Sequence, residues 1–94
     1  MIRVLIVEDD FISSTLLQRQ CATSGYSVIS AVSSGEDAIR VAQEDSPDVI
    51  LMDINLEGEM DGIDTADFIF RKFSVPVIFI TVSTDDETID RAKR

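Results

Sequence analysis

Histidine is missing from the sequence altogether. That removes imidazole as a general base, as a metal ligand and as a phosphoryl carrier on this chain. Cysteine occurs once, at Cys21, so no internal disulfide can form. No apolar run approaches the ~18 residues of a membrane-spanning helix. The opening stretch "MIRVLIVEDD" meets acid at once and offers no small-residue cleavage site, which speaks against a secretory signal. A cytoplasmic protein with no membrane partner is therefore expected. Basic residues are scarce, 8 against 18 acidic ones, for a formal net charge of -10. This balance argues against nucleic-acid binding by this segment. It suits a partner with a basic face, or a site that wants a cation. Low-complexity tracts and linkers are also missing.

What is present is an ordinary globular composition in 94 residues, 45% hydrophobic and 28% charged. The length argues for one domain or a piece of one. Three short, Val- and Ile-rich segments read as buried strands: "IRVLIV" (2–7), "DVILMD" (48–53) and "VPVIFIT" (75–81). Their near-continuous hydrophobicity fits a parallel sheet covered on both faces. A fourth, "YSVISAV" (26–32), alternates more and reads as a strand nearer an edge.

Helical patterns lie between them. From Phe11 to Ser24, the pairs Ile12/Leu16 and Leu17/Cys21 keep i, i+4 spacing, and Gly25 supplies a stop. From Gly35 to Asp45, an apolar stripe of Ala38, Ile39, Val41 and Ala42 follows a Ser34/Asp37 capping box. Ile63, Ala66, Ile69, Phe70 and Phe73 keep the helical period through Phe73. A last helix is expected from Asp85, with Thr84 and Glu87 at its start and Arg91, Lys93 and Arg94 at its end. The βαβαβαβα order implies right-handed crossovers and a doubly wound parallel α/β sheet.

In such sheets, function gathers outside the carboxyl ends of the strands. The first strand ends in Glu8, Asp9 and Asp10, the third in Asp53 followed by Asn55, and the fourth in Thr81 followed by Ser83. Ser33 and Ser34 after the second strand read as loop and cap residues. With the first and third strands adjacent, three or four carboxylates share one pocket. Like charges about 4 Å apart repel by roughly 4 kcal/mol at an effective dielectric near 20. Such a cluster binds a hard divalent cation or raises some pKa values. All-oxygen ligands favour Mg2+ over zinc or softer metals. A carboxylate beside Mg2+ and the Thr81 hydroxyl can act as a nucleophile toward a phosphoryl group.

Each feature has a plainer reading. An acidic pair after a strand is often a solvated loop or a helix cap, and threonine is common in strands. Asp53 is harder to dismiss, since it ends the apolar run Val49–Met52. Cys21 reads as a small helix-face residue rather than a reactive thiol, and Phe68, Phe70, Phe73 and Phe79 as core rather than a ligand platform.

From "VLIVEDD" through "ILMDINL" and "MDG" to "PVIFITV", the chain resembles the receiver (response-regulator) domains of two-component signalling along its whole length. The resemblance implies a flavodoxin-like sheet of order 2-1-3-4-5. It also implies that Asp53 is the phosphoacceptor, Asp9 the main Mg2+ ligand with Glu8 beside it, Asn55 a backbone-carbonyl ligand, and Thr81 a switch hydroxyl. Asp53 would take its phosphoryl group from a sensor histidine kinase or phosphotransfer protein, and the change would alter a partner-binding surface.

Two departures stand out. Glu57 occupies a place where many relatives carry proline, and "EGEMDG" is one residue longer than the common loop. The chain also reaches Arg94 without the family's fifth strand, fifth helix or the lysine that pairs with the phosphoryl group. Residues 1–94 are thus expected to be a receiver truncated after its fourth helix, with strand order 2-1-3-4. The bare fourth strand or the fourth helix would then invite self-association or the remainder of a longer receiver. The competing function is a non-phosphorylated interaction module on the same fold. A Mg2+-dependent phosphohydrolase fits less well, because no "DxD" follows the first strand.

Overall fold

The computed structural model describes residues 1–56 and 58–80. Seven elements alternate: β1 (Arg3–Val7), α1 (Phe11–Thr23), β2 (Ser27–Val32), α2 (Gly35–Asp45), β3 (Val49–Asp53), α3 (Gly62–Phe73) and β4 (Val77–Ile80). The strands form one parallel sheet in the order β2-β1-β3-β4. This is the expected doubly wound arrangement and strand order, with β1 and β3 inside and β2 and β4 at the edges of the described sheet. Glu57, Thr81, Ser83 and the helix expected from Asp85 lie outside the described residues.

The strands read as apolar runs because helices cover both sides of the sheet. Alternate residues face opposite ways. Leu5, Val7, Ile50 and Met52 pack with Ala38, Val41 and Ala42 of α2 and Ala66 and Ile69 of α3. Val4 and Ile6 face the other way, onto Cys21 and Leu17 of α1. Each helix begins on a side-chain cap: Asp10 accepts from the Ser13 N–H, Ser34 from Asp37 and Asp61 from Asp64. Ser46 and Ser74 end α2 and α3 in the left-handed region, at φ 45° and 58°. A proline follows each within two residues, at Pro47 and Pro76, and blocks continuation.

Some expected core residues are outside. Ile12 and Leu16 are exposed, at 68% and 53%. Ile12 and Leu17 are five residues apart, so their directions differ by about 140° around the helix, and only the Leu17/Cys21 line reaches the sheet. Phe68 and Phe70 are likewise exposed, because they flank Ile69 by about 100° on either side. Ile69 and Thr65 take the buried positions. Phe73 and Phe79 do pack against the core. Ile2 and Tyr26 lie just outside their strands and are exposed.

Candidate functional site

The pairing of β1 with β3 sets Val7 opposite Met52. One residue further, the chain turns acidic on both strands. Glu8, Asp9 and Asp53 offer carboxylate oxygens that all lie within 4.8 Å of one another. Glu8 and Asp53 are buried, while Asp9 is exposed at the mouth. An open cleft of about 390 Å³ adjoins Glu8 and Asp9 and runs along Phe11, Ser14, Gln18, Ser33 and Asp37.

The local backbone holds these groups. The Asp10 N–H donates to Glu8 Oε1 at 3.0 Å. The Asn55 N–H donates to Asp53 Oδ1 at 3.0 Å. Burial pushes the Glu8 carboxyl up to about 7, and the charges of Asp53 and Asp9 add to the effect against the opposing Asp10 N–H. Glu8 and Asp53 also hydrogen-bond to each other. Three carboxylates within one ion's reach, two of them buried, give hard oxygen donors of the kind that suit Mg2+.

Not every acid of the "EDD" run joins the cluster. Asp10 turns away to cap α1, and its bond to Ser13 lowers its pKa. Its place directly before the first helical residue was the available signal. Asn55 stands in the turn after β3 and reaches Asp53 through its own N–H. Thr81 lies outside the described residues. Among the described residues, the basic side chains with assigned contacts serve elsewhere. Arg3 bonds the Ser46 carbonyl, Arg40 pairs with Asp37 and Glu44, Arg71 pairs with Asp67, and Lys72 stands over the Phe68 ring.

Two features escaped the sequence reading. Gly62 packs directly on the Asp53 peptide, a role that "MDG" alone does not reveal. Phe11, Ile12 and Leu16 make an exposed apolar stretch on α1, and Phe11 lines the cleft.

The comparisons with known proteins give the family and the fold. A family model described as "Response regulator receiver domain" matches residues 4–94. The transcriptional regulatory protein LiaR of Bacillus subtilis is 41% identical over 91 residues, covering 95% of this chain and 43% of LiaR. PdtaR of Mycobacterium tuberculosis is 30% identical over 91 residues, covering 97% of this chain and 44% of PdtaR. The chain therefore spans less than half the length of these relatives. The signal receiver domain of a modulated diguanylate cyclase from Desulfovibrio desulfuricans G20 superposes with a TM-score of 0.89 at 43% identity, covering 98% of this chain and 73% of that one. The fold, the carboxylates at the ends of β1 and β3 and these matches converge, and the chain belongs to the response regulator receiver domain family.

Proposed function

We propose that this receiver is a phosphoacceptor, with Asp53 as the residue that carries the phosphoryl group. The observation that carries the reading is the meeting of Glu8, Asp9 and Asp53 within 4.8 Å at the ends of adjacent parallel strands. Glu8, Asp9 and Asp53 would hold Mg2+, with the Asn55 backbone carbonyl as a further ligand. When bound, Mg2+ neutralises charge on the attacking and transferred oxygens. Asp53 ends a buried strand, so its carboxylate is fixed on the sheet while the mouth stays open at Asp9. The Asn55 N–H occupies Oδ1 and orients the group. An oxygen of Asp53 attacks the phosphorus of a phosphohistidine on a sensor kinase or phosphotransfer protein. The P–N bond breaks, its electron pair returns to the imidazole, and Asp53 becomes an acyl phosphate. Thr81 follows β4 directly in sequence and is assigned the switch hydroxyl. Phe11 at the cleft, with exposed Ile12 and Leu16 on the same helix, suits docking of the cytoplasmic phosphodonor.

The experiment is treatment with acetyl phosphate and Mg2+, followed by intact-mass measurement and borohydride trapping. One added phosphoryl group, mapped to Asp53 and lost in Asp53→Asn, is expected. An unmodified wild type would favour the non-phosphorylated interaction module instead, and label at Asp9 would overturn the assignment. Thr81→Ala is expected to keep Mg2+ binding and lose the change in partner affinity on phosphorylation.

A further inference from the structure

Gly62 opens α3, directly after its cap Asp61. Its N–H donates to the Ile54 carbonyl at 3.3 Å. A β-carbon at Gly62 would strike the carbonyl oxygen of Asp53 and stand 3.0 Å from both the Asp53 carbonyl carbon and the Ile54 Cα. All three atoms are backbone, so no rotamer change relieves the clash. The positive-φ glycines of the described chain are Gly25 and Gly58. Gly62 is thus needed for close approach and not for an unusual dihedral. Gly35, at the start of α2, is equally crowded, but the first atom in its way is the Thr65 hydroxyl, with the Met60 Cβ at 3.2 Å.

The contrast matters because the Asp53–Ile54 peptide is the mount of the site. Asp53 extends from it, and the Asn55 N–H that holds Oδ1 lies on the same short stretch. Moving that backbone moves the carboxylate relative to Glu8 and Asp9, which stand in the turn after β1. Adding a side chain would part the two backbones by on the order of 1 Å, a displacement that commonly ruins a preorganised site.

We propose that Gly62 is a positioning residue for the acidic site: its missing side chain lets the first turn of α3 press on the Asp53–Ile54 peptide and sets the spacing of Asp53 from Glu8 and Asp9. The inference rests on the reading of these acids as a Mg2+ site.

Gly62→Ala and Gly35→Ala are the matched pair. Both are expected to destabilise the fold, so each is studied with wild type in trimethylamine N-oxide, which favours the compact state. The Mg2+ dissociation constant should rise by about tenfold or more in Gly62→Ala and stay within about twofold of wild type in Gly35→Ala. In metal-free protein, the Asn55 amide resonance should shift in Gly62→Ala and hold its place in Gly35→Ala. Equal Mg2+ affinities and equal Asn55 shifts in the two variants would overturn the positioning role while leaving the Mg2+ site intact. A Gly62→Ala that stays unfolded in the osmolyte would overturn it as well, by making Gly62 a requirement of folding alone. A wild type that binds no Mg2+ would instead bring down the reading of the site, and the proposal with it.

Discussion

Among the described residues, the two faces of the sheet carry unequal shares of the buried core. On the side of α2 and α3, eleven buried apolar residues form one cluster, from Leu5 and Val7 through Ile69 to Val75. On the side of α1, the described residues give three: Val4, Ile6 and Cys21. The carboxylates follow the second face. Val49, Leu51 and Asp53 alternate along β3, so Asp53 shares the direction of the α1-side residues while Ile50 and Met52 serve the larger core. A charge placed among the α2 and α3 contacts would face desolvation with no partner. Placed on the lighter face at the end of the strand, it keeps an open mouth at Asp9 and still has buried walls. Among the described residues, the carboxylates thus stand apart from the larger cluster.

The largest expected effect contrasts the two faces directly. Ile69→Ala removes a fully buried side chain from the larger cluster and should cost about 2–5 kcal/mol in urea unfolding. Leu17→Ala on α1 removes a partly buried one and should cost roughly half as much or less. Equal losses would erase the distinction between the faces.

Glu8 tests the cost of the acidic end. Its folded pKa is raised from 4.5 to about 7, so the folded state keeps a proton that the unfolded chain gives up within that window. The unfolded state then binds fewer protons, and stability falls as pH rises from about 4.5 to about 7. The loss attributable to Glu8 is of order 1–3 kcal/mol and is complete above the folded pKa. Glu8→Gln should flatten this slope in urea melts measured from pH 4.5 to 8. Mg2+ should counter the loss in wild type, because the ion replaces the proton. For the same reason Mg2+ affinity in wild type should weaken below pH 7. A wild-type slope unchanged in Glu8→Gln would place the penalty elsewhere.

Asp10 sharpens the division within the acidic run. Because it caps α1 and stands outside the cluster, Asp10→Ala should change the Mg2+ dissociation constant by less than about threefold, as expected of a screened surface charge. Asp9→Asn should raise it far more. Similar changes in the two would return Asp10 to the site.

The smallest effect belongs to the solvent side of α3. Arg71 pairs with Asp67 at 3.0 Å, but both side chains are largely exposed. Arg71→Ala should cost no more than about 0.5 kcal/mol in the same unfolding assay. A loss as large as that of Leu17→Ala would mean that surface pairing rivals the α1 face in holding the sheet together.

Much was legible before any coordinates. The alternation of apolar runs with helical stripes set the βα rhythm, since strand and helix periods differ and each survives in the order of residues. The break from Val49–Met52 to Asp53, and from Val7 to Glu8, marked the strand ends and their acids. Those signals are local, and local patterns are what a sequence carries directly. Which acids meet was decided by pairing. The parallel register of β1 and β3 brought Glu8, Asp9 and Asp53 together, whereas the demand of α1 for an N-cap drew Asp10 away. Helix rotation, set by contact with the sheet, chose Ile69 over Phe70 and Leu17 over Leu16 as the inward residues. Gly62 lies nine positions after Asp53 in the chain, and only the folding of α3 back over the end of β3 brings its backbone against the Asp53 carbonyl. A contact between two backbones leaves no mark in hydrophobic period or charge, so its cause became visible only in three dimensions.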